Sequence, residues 1–312
     1  MTVQREQLTA IALNDLVASF GWEDRPLLAA ALHWLYRRPA ETFAGHMAEL
    51  DAAVGDSGAL CEPARDFLDA RYVSGLEIAG QENIPSGPAL FVANHPGLTD
   101  TLALFAAMGR DDLKVMAEHR PFLATLTHLA THLIFVDSNL GRRALAVQAM
   151  VDHLRAGGAV LTFPAGRIEA DPDIHDSAIA EIAQWPDMTR LVARMAPETR
   201  IVPVAVRGVI AAKPHWLARI KRTASERDKR AAALQLVAMV AHGARPTTAR
   251  VRFGTPLLIA DFAQNIEGLH NTLIARMGQL IADGRAAVPT ALAATPEERL
   301  DWRPANTGVV IQ

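Results

Sequence analysis

In the stretch Asn94-His95-Pro96-Gly97-Leu98-Thr99-Asp100, a hydrophobic pattern typical of a strand ends and one typical of a helix begins, and this change indicates the fold of the chain. Residues 89–93 before it form a short apolar run bounded by prolines, which predicts a buried strand. Residues 102–108 after it carry apolar side chains at helical spacing. The sequence therefore predicts a strand, a turn that carries His95, and a helix whose first turn carries Asp100, where the helix dipole favours a carboxylate.

His95 and Asp100 have the residue types and the separation of a catalytic pair. A carboxylate one short loop from an imidazole can accept a hydrogen bond from one ring nitrogen and leave the other nitrogen free as a base. The alternative is a turn residue and a helix cap, since a His and an Asp at this spacing often occur by chance.

Composition excludes several classes of protein. A chain of 312 residues, 50% of them hydrophobic, can bury one large core. The net charge of -3 and the low aromatic content of 5% argue against polyanion-binding proteins and base-stacking modules. Cys61 is the only cysteine, which excludes disulfides and Cys-based zinc sites and indicates a reducing compartment. We interpret Cys61 as a passive thiol.

Neither a secretory signal nor a membrane span is visible in the sequence. The N-terminus lacks a long apolar core. No run reaches the ~20 apolar residues that a transmembrane helix needs. We therefore expect a cytoplasmic protein, which would lie peripherally on the inner face of the plasma membrane if it meets a membrane.

The hydrophobic pattern changes at residue 75. Residues 1–74 predict an N-terminal helical region, residues 75–288 predict an α/β domain, and residues 289–312, with Pro and charges, predict an extended tail. The expected fold is α/β, with a mixed, largely parallel central sheet flanked by helices and an N-terminal helical appendage. Strands are predicted at 76–79, 90–93, 113–116, 133–136, 160–163, 201–206 and 250–253, and helices near 100–109, 141–155, 186–195, 228–242 and 266–284.

Three later segments also lie at the ends of predicted strands. Phe135-Val136-Asp137-Ser138 precedes Arg142 and Arg143, which open a helix. Phe163-Pro164-Ala165-Gly166-Arg167-Ile168-Glu169 follows a strand, at the edge where open α/β sheets bind ligands. Pro203 is expected to interrupt the strand at 201–206.

On these residues, the chain resembles the glycerophospholipid acyltransferase superfamily, which includes glycerol-3-phosphate and lysophosphatidate acyltransferases. Its four blocks appear in order as His95-x4-Asp100, Phe135-Val136-Asp137, Phe163-Pro164-Ala165-Gly166 and Val202-Pro203-Val204. The resemblance covers about residues 75–210 and implies His95 and Asp100 as the catalytic pair. Together with the residue types at the strand ends, it predicts a substrate-binding set of Asn94, Gly97, Ser138, Arg142, Arg143, Phe163, Pro164, Gly166, Arg167, Glu169 and Pro203.

Two positions depart from the family pattern. Ser138 stands where the second block usually ends in an Arg that pairs with the acceptor phosphate, and Ala165 stands where the third block usually has Glu. Phe-Pro-Ala-Gly is similar to the hemolysin-like and ornithine-lipid branches, whose acceptors need not be glycerol phosphates. Arg167 is a candidate replacement for the phosphate ligand. Arg142 and Arg143 are either anion ligands or exposed helix residues.

The resemblance implies transfer of a fatty acyl group from acyl-CoA or acyl-acyl carrier protein, as co-substrate and without a cofactor, to a lysophospholipid-like or glycerol-phosphate-like acceptor. The acceptor group is a hydroxyl or an amine. His95 would remove its proton, Asp100 would hold the ring, and backbone N–H groups of Gly97 or Gly166 would bind the oxyanion. Two alternatives stay open: a hydrolase of the same site, and a non-catalytic lipid- or acyl-thioester-binding protein of the same fold.

Outside the four blocks, residues 213–230 form a basic segment in which seven Lys and Arg face two acids. This asymmetry predicts contact with an anionic membrane surface or an acyl carrier protein, the alternative being a solvated helix face. No nucleic-acid partner is expected. His128 and His132 have a spacing that can bind zinc on a helix, but the Glu of zinc proteases is missing, so no metal is predicted. The residues predicted to make the anionic contact are Lys213, Trp216, Arg219, Lys221 and Arg222.

Overall fold

The computed structural model describes residues 2–97, 99–137, 139–210, 235–236, 239–241, 243, 245 and 247–286. The strands in these ranges are β1 (Gly75–Ala79), β2 (Ala89–Ala93), β3 (Leu113–Glu118), β4 (Leu133–Val136), β5 (Ala159–Thr162), β6 (Arg200–Arg207), β7 (Thr248–Phe253) and β8 (Leu257–Leu258). The α-helices are α1 (Thr2–Phe20), α2 (Pro26–Ser57), α3 (Cys61–Arg71), α4 (Asp100–Met108), α5 (Pro121–Thr125), α6 (Leu140–Arg155), α7 (Ala178–Ile182), α8 (Thr189–Met195) and α9 (Ile266–Ala286).

The strands form one mixed sheet in the order β1-β7-β6-β2-β5-β3-β4, and β8 pairs with β6 beside β7. β6, β2, β5, β3 and β4 are parallel, whereas β7 runs antiparallel to β6 and parallel to β1. The carboxyl ends of the five parallel strands therefore lie at one edge of the sheet. That edge is where open α/β sheets bind ligands.

β2 lies inside the sheet, and all five of its residues are buried. Phe91 faces a hydrophobic cluster on one side of the sheet, while Leu90 and Val92 face a second cluster on the other side. Such a strand needs apolar residues at every position, which explains its continuous run. Each large side chain buried here contributes about 1.5–3 kcal/mol to folding.

Helices cover both faces of the sheet. α1 to α4 contribute side chains to the Phe91 cluster, and α6, α8 and α9 contribute side chains to the Leu90 cluster. Buried Asp51 of α2 accepts the backbone N–H groups of His128 and Leu129, at 2.9 and 2.8 Å, and so ties α2 to the segment before β4. The expected α/β architecture is confirmed, and the division of the chain at residue 74 stays a prediction.

Some predicted elements need correction. β6 runs unbroken through Pro203, because the proline lies beside the connection between β7 and β8. There the carbonyl of Pro203 accepts the Gly254 N–H at 2.8 Å. The helix predicted at 186–195 begins only at Thr189. β8 was not predicted, since two residues carry no periodicity. Most of the helix predicted at 228–242 and the whole tail at 289–312 lie outside the described residues.

In the described part of the chain, no helix combines the length and the apolar character that crossing a membrane requires.

Candidate active site

The predicted turn between β2 and α4 brings His95 and Asp100 into contact. Nδ1 of His95 lies 2.6 Å from Oδ2 of Asp100. Because an ionised carboxylate only accepts hydrogen bonds, Nδ1 carries the proton of this bond and Nε2 is left as the basic nitrogen. In the described ranges Nε2 has no hydrogen-bond partner, so it is available to a substrate.

Asp100 is held from several directions. Its side chain is 1% exposed, and Oδ2 also accepts the Gly97 N–H at 2.8 Å. Oδ1 accepts the backbone N–H of Thr101 at 2.5 Å and the hydroxyl of Thr101 at 3.1 Å. A carboxylate with these partners at the start of a helix keeps its orientation and its charge.

Gly97 makes the turn possible. Its φ of 100° lies in the region that favours glycine, and a Cβ at this position would lie 3.3 Å from Cγ2 of Ile168. The N–H of Gly97 binds Asp100, and the N–H of Gly166 binds the carbonyl of Phe163 at 3.0 Å. Both donors predicted for the oxyanion are therefore engaged within the protein, so the structure does not present them to an oxyanion.

The backbone around His95 is tied to two other segments. The amide of Asn94, 1% exposed, donates to the carbonyl of Val206 and accepts the N–H of Val206, both at 2.8 Å. The N–H of His95 donates to Oε2 of Glu169 at 3.0 Å, and the N–H of Glu169 donates to the carbonyl of His95 at 2.8 Å. Asn94 and Glu169 thus hold the polypeptide that carries His95.

The ring of His95 stacks on Phe163 at the end of β5. The ring centroids are 4.4 Å apart and the planes are inclined by 27°. Phe163 therefore packs against one face of the imidazole, while Asp100 holds the ring at its edge. The structure thus brings the half-buried Phe163 to His95, and a contact of Phe163 with substrate stays a prediction.

The electrostatics favour a charged pair. Burial lowers the pKa of His95, but the charge and hydrogen bond of Asp100 and the charge of Glu169 raise it more, and the net pKa lies above its usual range. Burial raises the pKa of Asp100. The charge and hydrogen bond of His95 and the N–H donors of Gly97 and Thr101 lower this pKa by more, so it lies below its usual range. A protonated His95 is thereby stabilised next to an ionised Asp100.

The basic side chains of the predicted set lie on the same edge of the sheet as His95, but at a distance from it. Arg142 and Arg143 are exposed at the start of α6, after β4, and Arg142 binds Asp137 at 3.0 Å. β4 is three strands from β2, a separation of about 14 Å at usual strand spacing. Arg167 is half-exposed and binds Glu181 at 3.4 Å. No contact brings these arginines to His95.

The remaining predicted residues are distributed as follows. Pro164 is half-buried and Gly166 is exposed, and both belong to the turn after β5. Pro203 is buried in β6 against Gly254, at the position that pairs with Val92 of β2. Ser138 lies outside the described residues, as does the basic segment with Lys213, Trp216, Arg219, Lys221 and Arg222.

Two buried residues that hold the loop after β5 are not marked by any motif in the sequence. Trp185 donates its indole N–H to Oε1 of Glu169 at 2.7 Å. Asp171 is 2% exposed and accepts the backbone N–H groups of Gly208, Val209 and Ile210 at 2.9–3.0 Å. No local pattern marked either of them, because their partners are distant in the chain.

Outside this site, Cys61 and the paired histidines carry no further chemistry. Burial and the neighbouring Asp111 raise the pKa of Cys61 to about 11, so its thiol stays protonated at neutral pH. His132 is engaged with the carbonyl of Leu113 at 3.1 Å, in a 3-10 turn rather than on an α-helix face shared with His128. Among the described residues, no three His, Cys, Asp or Glu side chains cluster as metal ligands.

Comparison with known proteins bears on this site. Residues 75–207 match the family model described as Acyltransferase. A search of curated proteins finds no match. Among solved structures, the chain is similar to the 1-acyl-sn-glycerophosphate (LPA) acyltransferase PlsC from Thermotoga maritima, with 15% identity and a TM-score of 0.46, over 91% of this chain and 95% of that chain.

The family match begins with the first residue of β1 and ends with the last residue of β6. It therefore spans the five parallel strands and the edge at which His95 and Asp100 meet. This match identifies residues 75–207 as a region similar to the Acyltransferase family, and with the four sequence blocks it supports an acyltransferase enzyme that resembles the glycerophospholipid acyltransferase superfamily.

Proposed function

We propose that this acyltransferase moves a fatty acyl group from an acyl thioester, acyl-CoA or acyl-acyl carrier protein, to the hydroxyl of a lysophospholipid-type acceptor. The observation that carries the proposal is the 2.6 Å contact of Asp100 with Nδ1 of His95, which leaves Nε2 as the free base. An alcohol has a pKa far above neutrality, so its attack on a thioester needs a base that removes the proton during the attack.

The reaction proceeds in two steps on this chain. Nε2 of His95 takes the hydroxyl proton as the acceptor oxygen bonds to the thioester carbonyl carbon. The tetrahedral intermediate then expels the thiolate, and the imidazolium returns the proton to the thiolate sulfur. Asp100 keeps the ring oriented and stabilises the imidazolium between the two steps. The oxyanion needs donors other than the N–H groups of Gly97 and Gly166, which are engaged.

The acceptor class is supported by the family and by the basic groups on the catalytic edge. Arg142, Arg143 and Arg167 provide positive charge around the edge, without a fixed contact to His95. We propose that one of them contacts an anionic acceptor headgroup in place of the Arg that Ser138 replaces. The expected result is that Ser138→Arg with Ala165→Glu changes the preference among acceptors.

The test uses purified full-length protein with palmitoyl-CoA or palmitoyl-acyl carrier protein and a panel of acceptors. The panel contains lysophosphatidate, lysophosphatidylcholine, lyso-ornithine lipid and glycerol 3-phosphate. Thiol release and acylated product are measured in parallel. Equal amounts of thiol and product support the transferase. Thiol release without acylated product would establish the hydrolase, and no reaction with any donor would favour the non-catalytic binding protein.

His95→Ala is expected to abolish transfer while the fold is kept. The matched control is His153→Ala, since His153 lies in the last turn of α6, at the opposite edge of the sheet. Near-wild-type turnover of His95→Ala at unchanged thermal stability would refute His95 as the base.

A further inference from the structure

Glu169 is a buried carboxylate that the reaction proposed above does not use. It is 4% exposed. Oε1 accepts the indole N–H of Trp185 at 2.7 Å, and Oε2 accepts the backbone N–H of His95 at 3.0 Å. Because the side chain is buried and each of its oxygens binds a donor of the protein, it is directed at the protein and not at a substrate. The structure thus argues against the substrate contact predicted for Glu169 from the sequence.

A buried carboxylate is costly unless a cation or several donors stabilise it. In the described ranges, no Lys or Arg forms an ion pair with Glu169, and Arg167, two residues earlier, binds Glu181 instead. Burial raises the pKa of Glu169 above its usual range, and the N–H groups of Trp185 and His95 and the charge of Arg167 lower it only in part. The group beside Glu169 that acquires a positive charge during the reaction is His95. A carboxylate kept in this environment is typical of an electrostatically preorganised site.

We propose that Glu169 is a positioning residue for His95: its carboxylate fixes the backbone of His95, and its charge stabilises the imidazolium that forms during acyl transfer. The inference rests on the proposed role of His95 as the base. Asp100 acts on the ring and Glu169 on the main chain, so two carboxylates restrain one histidine. Trp185 in turn holds Glu169.

The groups that face His95 come from four elements. Asp100 belongs to the start of α4, Phe163 to the end of β5, Glu169 to the loop after β5, and Arg120 to the segment after β3. Burial lowers the pKa of His95, the charges of Asp100 and Glu169 raise it, and the charge of Arg120 lowers it. Removal of the Glu169 charge is therefore expected to lower the pKa of His95.

The experiment compares Glu169→Gln with wild type in steady-state acyl transfer across pH. Gln keeps the size of the side chain but removes the charge and one of the two acceptors. We expect kcat to fall about tenfold to a hundredfold, because a displaced base loses its alignment with the acceptor. KM for donor and acceptor should stay within about twofold, since no substrate contact is lost. The acidic limb of the kcat/KM profile should move to lower pH.

A matched control separates this effect from the general cost of neutralising a buried carboxylate. Asp51 is also buried and also accepts two backbone N–H groups, but it lies on α2 and binds the segment before β4. Asp51→Asn should lower thermal stability and leave kcat and the pH profile unchanged. An equal loss of kcat in Asp51→Asn would overturn the proposal.

A second variant keeps the proposal testable if Glu169→Gln does not fold. Trp185→Phe removes one donor from Glu169 but keeps the carboxylate and its charge. We expect a several-fold lower kcat with an unchanged KM, because Glu169 is held less firmly. A wild-type kcat in a folded Trp185→Phe would overturn the positioning role.

The outcomes distinguish this inference from the proposed function. If His95→Ala is inactive while a folded Glu169→Gln keeps wild-type kcat and pH profile, the role of Glu169 fails and the function stands. If Glu169→Gln raises KM and keeps kcat, Glu169 contacts substrate and the inference is refuted.

If His95→Ala is fully active, the proposed base fails. An NMR titration of His95 in labelled protein then still tests whether Glu169→Gln lowers the histidine pKa, and an unchanged titration would refute the charge effect.

Discussion

Asn94 and Val206 exchange two hydrogen bonds across 112 residues of sequence. The Asn94 amide donates to the Val206 carbonyl and accepts the Val206 N–H, each at 2.8 Å. Through this pair, the residue before His95 extends the contact of β2 with β6 beyond the last paired position of β2. The position of the candidate base is thus coupled to the end of β6.

Asn94→Ala should lower both stability and turnover. The substitution leaves the N–H and carbonyl of Val206 buried and unpaired, at about 1–3 kcal/mol for each group. Urea denaturation measures the loss in free energy of unfolding, and steady-state kinetics measure kcat. Asn83→Ala is the control, since the side chain of Asn83 donates one hydrogen bond, to the carbonyl of Phe253, outside the site. Stability and kcat equal to wild type in Asn94→Ala would contradict this account.

Activity should fall at acidic pH, through a pKa above the usual histidine value of about 6.5. Burial lowers the pKa of His95, but Asp100 and Glu169 raise it to a net increase. A general base acts only when neutral, so the rate is lost as the pH decreases through this raised pKa. A profile of kcat/KM between pH 5 and 9 measures the pKa of this acidic limb.

Asp100→Asn should shift that limb to lower pH and lower the maximal rate by several orders of magnitude. The shift follows because the carboxylate that stabilises the imidazolium is gone. The rate falls because an amide no longer selects the Nδ1–H form of His95. A variant that loses rate without moving the limb would show that another group titrates.

Gly97→Ala should reduce kcat about tenfold or more. An alanine at a φ of 100° is strained, and its Cβ would press on Ile168, so the turn would shift His95. Gly157→Ala is a matched control, because Gly157 also has a positive φ, 89°, with open space around the added Cβ, and it lies before β5 at the opposite edge. The control should lose stability only. Comparable kcat values in both variants would argue against a role of the turn.

The basic segment at 213–230, outside the described residues, is expected to bind anionic surfaces in a salt-sensitive way. Each basic residue near an anionic bilayer adds ~1 kcal/mol, and the attraction fades within a Debye length of ~8 Å at physiological salt. Co-sedimentation with anionic and neutral liposomes, at low and high salt, measures binding of wild type and Lys221→Glu/Arg222→Glu.

The control for the charge reversal is Arg194→Glu/Arg200→Glu, which changes the net charge equally on exposed residues outside the segment. Equal binding to neutral and anionic vesicles, or no binding to either, would refute the membrane contact. Loss of acyl carrier protein binding in Lys221→Glu/Arg222→Glu would identify the carrier as the anionic partner.

Local chemistry made the strand, turn and helix around His95 predictable. The run at 89–93, Gly97 and the apolar spacing after Asp100 act on their immediate neighbours in the chain. The contact of His95 with Asp100 spans only this turn, so its residue types and spacing allowed the pair to be proposed, and the four sequence blocks favoured it over a turn residue and a helix cap. The alternation of strands with helices likewise predicted a largely parallel sheet, because short parallel strands need helical crossovers.

Contacts between distant segments could be decided only by the tertiary structure. The carboxylate of Glu169 meets the backbone of His95 across 74 residues, and Asn94 meets Val206 across 112. The unbroken β6 at Pro203 depended on Gly254, a neighbour that no local pattern indicates. Hydrophobic periodicity determines which face of an element is buried, but the packing of the elements determines which polar groups then meet.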